Sequence, residues 1–182
     1  MEFTETPLKG AYIIKLVPFS DDRGSFVRMF AKEEFKKIGH TEEIVHINHS
    51  INKQKGIIRG MHYQIPPDSE IKIIRCIKGK IFDVMIDLRK NSPTFLKWYG
   101  EILSRDKMNM IYIPKGFAHG FQALEDDCEL IYLHTNAYQA ASERGIRYDD
   151  PLIKINWPLP STQISERDKS FPLLNKNFEG IS

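Results

Sequence analysis

Short runs of β-branched and aromatic residues recur along most of this chain, and turn-forming residues separate them. Nine runs of this kind are "AYIIKLVPF", "GSFVRMF", "EIVHINHS", "GIIRGMHYQ", "EIKIIRCIKG", "KIFDVMIDLR", "KWYGEIL", "NMIYIPKG" and "CELIYLHTNAY". Gly, Pro, Asp and Asn between them are typical of strands joined by tight turns. Many short strands at near-regular spacing predict an antiparallel β-sandwich or barrel.

Two segments depart from this strand pattern. In "AKEEFKKIG", acids near the start, lysines near the end and Gly39 after them predict a short helix. From "DDP" at position 149 onward, proline and polar residues increase, so we expect a tail that wraps the surface or forms short helices. We found no repeat or linker, and 182 residues suit a single domain over 1–182.

Charge and hydropathy argue against several classes of protein. The net charge is only +2, and basic residues alternate with acids, so no nucleic-acid-binding tail is expected. No apolar run approaches the roughly 20 residues of a membrane span. The N-terminus is acidic and lacks the apolar segment of a signal peptide. Cys76 and Cys128 each lie in an apolar run, which favours a reducing compartment, and we expect a cytoplasmic protein.

The strand period of two places polar groups on an otherwise apolar face. In "EIKIIRCI" one face carries Glu70, Lys72, Ile74 and Cys76, and the other carries Ile71, Ile73, Arg75 and Ile77. In "KIFDVMIDLR", Asp83 shares a face with Ile81 and Met85. Because burial of an unpaired ammonium is costly, a lysine on an apolar barrel lining indicates a functional site.

Two histidine motifs resemble the two-part signature of the cupin jelly rolls. The first is "GMHYQ" with His62, and the second is "IPKGFAHGF" with His119. In cupins the first part usually carries His-x-His and binds a metal, but here Gln64 takes the place of the second histidine. Two imidazoles and a carboxylate could still hold a metal. Lys72 on the same lining would repel the ion, so we expect no metal.

Longer blocks of the chain resemble the dTDP-4-dehydrorhamnose 3,5-epimerase family. They include "DDRGSFVRMF", "RGMHYQIPPDSEIKIIRCIKGKIFDVMIDLRKNSPTF", "LSRDKMNMIYIPKGFAHGFQAL" and "ELIYLHTNAYQAASERGIRYDDP", and the similarity runs from about residue 8 to residue 174. The resemblance implies a mainly β fold, a cupin-type antiparallel jelly-roll barrel with a few short helices. It also implies a homodimer without metal or cofactor, which inverts C3, C5 or both beside the 4-keto group of a nucleotide-diphosphate-linked 6-deoxyhexose.

Inversion beside a ketone needs a base, a group that holds the enolate oxygen and an acid on the opposite face. His62 is the natural base because imidazole titrates near neutral pH. The resemblance implies that Asp168 orients it, that Lys72 stabilises the enolate and that Tyr132 is the acid. Preorganised charge such as that of Lys72 typically lowers a barrier by about 3–4 kcal/mol.

Further positions match substrate-binding positions of the family. Arg23 and Arg59 match diphosphate-binding arginines, whose guanidinium groups suit phosphate oxygens. Tyr138 matches an aromatic residue near the sugar site. The other matches are Asn48, His119, Glu143 and Arg167, the last of which is usually lysine.

Three positions depart from the family pattern. Arg28 stands where an acid is typical, His46 where glutamine is typical, and Leu133 where lysine is frequent. The first two positions serve nucleotide recognition in the family, and exchange of an acid for arginine turns an acceptor into a donor. Thymidine remains the expected base, with cytidine or guanosine as alternatives. We therefore include Arg28 and His46 among the candidate substrate-binding residues.

Two other functions remain as alternatives. One is a metal-dependent cupin oxygenase or isomerase, which the missing His-x-His disfavours. The other is a non-catalytic sugar-binding cupin, which would not need both an acid and a base. We also expect the strand in "AYIIKLVPF" to pair with the sheet of a second subunit, because an apolar strand at the chain start would otherwise leave an exposed edge.

Overall fold

The computed structural model describes residues 1–182, and antiparallel strands form most of it. The strands are β1 Glu2–Glu5, β2 Tyr12–Lys15, β3 Phe19–Asp21, β4 Gly24–Phe26, β5 His46–Asn52, β6 Ile58–Gln64, β7 Lys72–Lys78, β8 Lys80–Asp87, β9 Trp98–Ser104, β10 Asn109–Ile113, β11 Phe117–Ala123, β12 Cys128–His134 and β13 Glu143–Gly145. The helices are α1 Lys32–Phe35, followed by a 3₁₀ turn at Lys36–Ile38, and α2 Glu166–Ser170. Neither α-helix has the length and apolar character needed to cross a bilayer.

Two sheets form the barrel. The six-stranded sheet has the order β1-β2-β10-β7-β12-β5, and the five-stranded sheet has the order β13-β6-β11-β8-β9. One apolar cluster contains side chains from both sheets, among them Ile74, Ile111, Met85 and Phe121, so the main core lies between them. The predicted antiparallel jelly-roll barrel is confirmed. A separate hairpin, β3–β4, lies outside both sheets.

The alternation predicted for β7 is also confirmed. Ile74 and Cys76 belong to the cluster inside the barrel, whereas Ile73 belongs to a second cluster outside the six-stranded sheet. Phe35 of α1 packs in this outer cluster. The predicted helix is present, and Gly39 ends it in the left-handed conformation, with φ of 79°.

The C-terminal tail covers the outer face of the five-stranded sheet, as expected. Buried Met61, Val84 and Ile86 form that face, and Trp157 and Phe178 of the tail pack against it. The tail forms only one short helix, α2, which begins after Ser165. This route brings α2 against β6.

The expected pairing of β2 with a second subunit is wrong. Within this chain β2 lies between β1 and β10, and both of its edges are hydrogen-bonded. The residues that precede β2 fold back as β1 and supply the partner that the sequence did not reveal. The edges of the six-stranded sheet are therefore β1 and β5.

Candidate active site

A cavity of about 320 Å³ opens into the barrel between the two sheets. Its wall is mainly polar, and the lining residues are His46, Asn48, Ser50, Arg59, His62, Glu70, Lys72, His119, Phe121, Tyr132, His134, Tyr138 and Glu143. Nine of these residues were predicted from the sequence: His46, Asn48, Arg59, His62, Lys72, His119, Tyr132, Tyr138 and Glu143. Strands β5, β6, β7, β11 and β12 supply most of them.

His62 lies on β6 and is held by a carboxylate of the tail. Its Nε2 is 2.8 Å from Oδ1 of Asp168, and Oδ2 of Asp168 accepts a hydrogen bond of 3.0 Å from the Gly60 amide. The hydroxyl of Ser165 caps α2 by accepting from the Asp168 amide. Burial alone would raise the pKa of Asp168, but the hydrogen bonds from His62 and Gly60 hold it below its usual value. An ionised Asp168 therefore orients the His62 ring.

Lys72 presents its ammonium to the same cavity. Nζ lies 3.3 Å from the backbone oxygen of His62 and 3.3 Å from Oε1 of Glu70. Each contact uses one of the three donors of an ammonium, and one donor remains for a ligand. A fixed cation beside a candidate base is the arrangement that stabilises an enolate.

His119 lies directly opposite His62 across the β6–β11 pair. Like His62, it contacts a carboxylate, here that of Asp83. Its Nε2 is 2.9 Å from Oδ2 of Asp83, while the other carboxylate oxygen has no hydrogen-bond partner. Burial lowers the pKa of His119 and raises that of Asp83. The predicted position of Asp83 on the barrel lining is confirmed, and its contact fixes the orientation of the His119 ring.

Tyr132 places its ring beside His119 on the cavity wall. The ring centroids are 6.0 Å apart in an edge-to-face arrangement. Burial raises the pKa of Tyr132 well above its usual value, and the charge of Asp83 adds to the effect. The phenol therefore keeps its proton at neutral pH, as a proton donor requires.

Two arginines lie in or next to the cavity: Arg59 is part of its lining, and Arg167 lines a neighbouring pocket. Nε of Arg59 donates to Oδ1 of Asn52 at 2.7 Å. The guanidinium of Arg167 pairs with Glu143 and lies over the Phe171 ring, 5.8 Å from its centroid. Glu143 also accepts a hydrogen bond of 2.7 Å from the exposed Tyr138 hydroxyl. Two guanidinium groups and the Tyr138 ring thus lie in or next to the cavity lining.

Two predicted residues, Arg23 and Arg28, neither line the cavity nor pair with a residue that does. Arg23 lies in the turn of the β3–β4 hairpin, its side chain is 90% exposed, and it pairs with Asp21 at 2.6 Å. The side chain of Arg28 is 61% exposed and lies 3.9 Å from Glu34. Their predicted contact with substrate remains a prediction.

Two titratable residues of the wall, Glu70 and His134, were not among the predicted site residues. His134 Nδ1 is 2.6 Å from Oε2 of Glu70. Alternation had placed Glu70 on the face of Lys72, and it could have identified His134, which shares a face with Tyr132. Ser50 and Phe121 were also missed.

Gln64, at the position where cupins carry a metal-binding histidine, takes part in backbone contacts instead. Its amide nitrogen donates to the carbonyls of Asp68 and Ala137, and its oxygen accepts from the Gln139 amide at 2.6 Å. No three His, Cys, Asp or Glu side chains are grouped so that they could hold a metal ion.

Comparison with known proteins identifies the family to which this geometry belongs. The sequence profile described as dTDP-4-dehydrorhamnose 3,5-epimerase matches residues 5–176. The chain belongs to the dTDP-4-dehydrorhamnose 3,5-epimerase family. The resemblance inferred from the motifs is thus confirmed.

Individual members of the epimerase family match along nearly their whole length. The dTDP-4-dehydrorhamnose 3,5-epimerase of Shigella flexneri is 40% identical over 169 residues, which are 92% of this chain and 93% of the relative. A crystal structure of the Bacillus anthracis enzyme with TDP and PPi bound superposes with a TM-score of 0.92 at 38% identity, over 95% of this chain and 99% of that one.

A Legionella pneumophila epimerase in complex with dTDP-4-keto-L-rhamnose has a TM-score of 0.89 at 37% identity, over 93% of this chain and 90% of that one. The barrel and its connections are therefore those of the epimerase family.

Proposed function

We propose that this protein, as one domain, epimerises a nucleotide-diphosphate-linked 4-keto-6-deoxyhexose. The expected reaction inverts both C3 and C5 of dTDP-4-dehydro-6-deoxyglucose and gives dTDP-4-dehydrorhamnose; inversion of only one of the two carbons, which gives a different 4-keto sugar, is the alternative. One observation carries the proposal: the His62–Asp168 pair faces the same cavity as the Lys72 ammonium and the protonated Tyr132 phenol. The family relationship supplies the substrate class.

The reaction follows from the placement of these groups. His62 removes the proton from the carbon beside the ketone, and the C–H electron pair moves into the ring to give an enolate at O4. Asp168 stabilises the imidazolium, and Lys72 compensates the charge on the enolate oxygen. Tyr132 then delivers its proton to the opposite face, and the inverted ketone forms again.

Arginine and aromatic side chains in or next to the cavity suit the nucleotide half of the substrate. Arg59 and Arg167 offer the forked donors that suit diphosphate oxygens, and the side chain of Tyr138 is exposed in the cavity lining. Thymidine is the expected base. Because His46 lines the cavity and Arg28 departs from the family acid, cytidine and guanosine belong in the same test.

We propose that the protein acts as a cytoplasmic homodimer. Exposed apolar side chains support the dimer: Phe19 and Phe26 lie on the β3–β4 hairpin, and Ile47 and Ile51 lie on the edge strand β5. The same hairpin carries Arg23, which could contact substrate bound to a second copy. The two free, buried cysteines suit a reducing compartment. A monomeric mass by light scattering at micromolar concentration would contradict the dimer.

The reaction is tested with a panel of 4-keto-6-deoxyhexoses linked to dTDP, CDP or GDP in heavy water. NMR reads both deuterium uptake at C3 and C5 and the configuration of the product. We expect uptake with inversion, fastest with the dTDP sugar. Tight binding of a sugar without any uptake would instead support the non-catalytic sugar-binding alternative.

A further inference from the structure

A buried chain of three charged or titratable groups runs along the cavity wall. Oε1 of Glu70 lies 3.3 Å from the Lys72 ammonium, and Oε2 of Glu70 lies 2.6 Å from Nδ1 of His134. The three side chains are about nine-tenths buried. We call Lys72, Glu70 and His134 the lysine network.

Strand register fixes the network in place. On β12, His134 is the direct partner of Lys72 on β7 and of His46 on β5. The His134 ring stacks on His46, with centroids 4.4 Å apart and planes at 23°, and its plane lies at 18° to that of Tyr132. The network therefore connects Lys72 to the rings of His46 and Tyr132, whose positions are set by the pairing of β5, β12 and β7.

An ion-paired chain of the same composition occurs elsewhere on the same strands. Lys78 lies 3.3 Å from Glu129, which lies 3.0 Å from Nε2 of His49. The side chain of His49 is 44% exposed, whereas that of His134 is 11% exposed. The outer chain lines no part of the cavity and provides a matched control.

A lysine that is to stabilise an enolate must be held in place, since its side chain has four rotatable bonds. Glu70 can restrain the ammonium, but a free carboxylate so close would also compete with the enolate for it. The His134 N–H engages the second oxygen of Glu70. Burial raises the pKa of Glu70, but the His134 hydrogen bond and the Lys72 charge outweigh it, so the net pKa is lowered.

We propose that Glu70 and His134 are positioning residues that hold the Lys72 ammonium at the place where the enolate oxygen forms. His134 fixes the Glu70 carboxylate, and the carboxylate fixes Lys72. Neither residue needs to contact the substrate. This inference rests on the proposed epimerase reaction and on the contacts of the lysine network.

The first test removes one hydrogen bond and keeps the ring. His134→Phe keeps a ring that can stack on His46 but leaves Oε2 of Glu70 without its donor, while Oε1 still contacts Lys72. Because displacement of a reacting group by about 1 Å can cost up to about 10²-fold, we expect kcat for deuterium uptake to fall about 10- to 100-fold. Because the network acts on a charge that forms only in the enolate, KM should change less than about threefold.

Two further variants separate positioning from structure. His134→Asn returns an N–H donor near the place of Nδ1 and should recover most of the rate. His49→Phe breaks the equivalent exposed contact and should leave kcat unchanged. The proposal would be overturned if His134→Asn did not recover the activity that His134→Phe loses. It would also be overturned if His49→Phe lost as much activity as His134→Phe.

A double-mutant cycle tests whether His134 acts through Lys72. In a Lys72→Ala background, His134→Phe should change the remaining exchange rate by less than about twofold, because the group that it positions is gone. If the two losses simply multiply, His134 acts independently of Lys72 and the proposal is wrong.

Failure of the epimerase reaction itself would be recognised separately. If the wild-type protein takes up no deuterium with any sugar of the panel, the proposed function fails. The positioning claim is then decided by NMR of protein labelled with ¹⁵N-lysine. A protected Lys72 ammonium signal should be present in the wild type and in His134→Asn and absent in His134→Phe. Identical spectra for all three would refute the claim.

Discussion

At the scale of single residues, the cavity is assembled from side chains that alternation could place only in part. The period of two put Lys72 on the inner face of β7, and this position is confirmed by its place on the cavity wall. The partner of His62 is 106 positions away, on a tail that no local pattern directs to β6. Only the family resemblance suggested Asp168, because tertiary packing of α2 decides that contact.

The role assigned to Tyr132 separates proton removal from inversion. Tyr132→Phe keeps the ring beside His119 but removes the proton donor. His62 can still form the enolate and return a deuteron to the face from which the proton came. We expect continued deuterium uptake while inversion slows by about 10²–10⁴-fold.

Both quantities are read from one NMR time course of a 4-keto sugar in heavy water. If the variant inverts the sugar as fast as it exchanges, another group or water is the acid. Tyr132 would then be only a packed tyrosine of β12.

At the scale of elements, the close approach of β6 and β11 is what brings His62 opposite His119. A Cβ on Gly60 would lie 2.6 Å from the Cα of Gly120 and 2.7 Å from the His119 carbonyl oxygen. The pairing of the two strands shifts register just after His119. Glycine at position 60, where φ is +116°, is therefore required for this geometry.

Gly60→Ala should destabilise the fold much more than alanine at a glycine whose Cα has free space around it. The positive φ costs about 1–2 kcal/mol for a residue with a Cβ, and crowding against backbone adds about 1–3 kcal/mol. Gly39→Ala is the control, since φ is +79° but nothing lies within 4 Å of the added Cβ. Urea denaturation gives both free energies of unfolding, and equal losses would contradict the close-approach argument.

Most strands could be predicted from the sequence. Among those that could not, β11 and β1 each escaped prediction for a physical reason. Strand β11, "FAHGFQA", is entirely buried but lacks the β-branched residues that mark the other strands. Strand β1, "EFTE", is a mostly exposed edge strand with charged ends. Burial determines β11, and pairing with β2 determines β1; intrinsic preference determines neither.

At the scale of the whole molecule, packing outside the barrel makes stability depend on pH. His40 is buried among Phe30, Phe35 and Tyr112, and its Nε2 has no hydrogen-bond partner. Burial lowers the pKa of His40 below the usual 6.5. The neighbouring strands and α1 thus hold a neutral imidazole in an apolar cluster.

The sign of the pH effect follows from this lowered pKa. Below about pH 6.5 the unfolded chain protonates His40 while the folded chain does not, so the free energy of unfolding falls until the folded pKa is reached. His40→Leu should reduce this fall between about pH 7 and pH 5, before most carboxylates titrate. Chemical denaturation over this range gives the slopes, and a slope unchanged in the variant would contradict the assignment.

The barrel fold could be predicted from the sequence, whereas the pairing partners of some strands could not. Strand periodicity and turn residues defined an antiparallel fold, and family resemblance specified the jelly roll. The pairing partner of β2 depended on whether the preceding residues fold back, and the charged segment "EFTE" gave no signal that they do. Arg23 and Arg28 do not line the cavity of the single chain, because the β3–β4 hairpin pairs with neither sheet and both side chains are exposed.

The most direct test of the proposed reaction is deuterium uptake by a 4-keto-6-deoxyhexose linked to dTDP, measured for the wild type and for His62→Ala. We expect uptake at C3 or C5 with the wild type and a loss of at least about 10²-fold in the variant, because the group that removes the proton is gone. Binding of dTDP through Arg59 and Arg167 should persist, which shows that the cavity remains folded. Uptake by His62→Ala at a near wild-type rate would show that another group removes the proton and would contradict the mechanism.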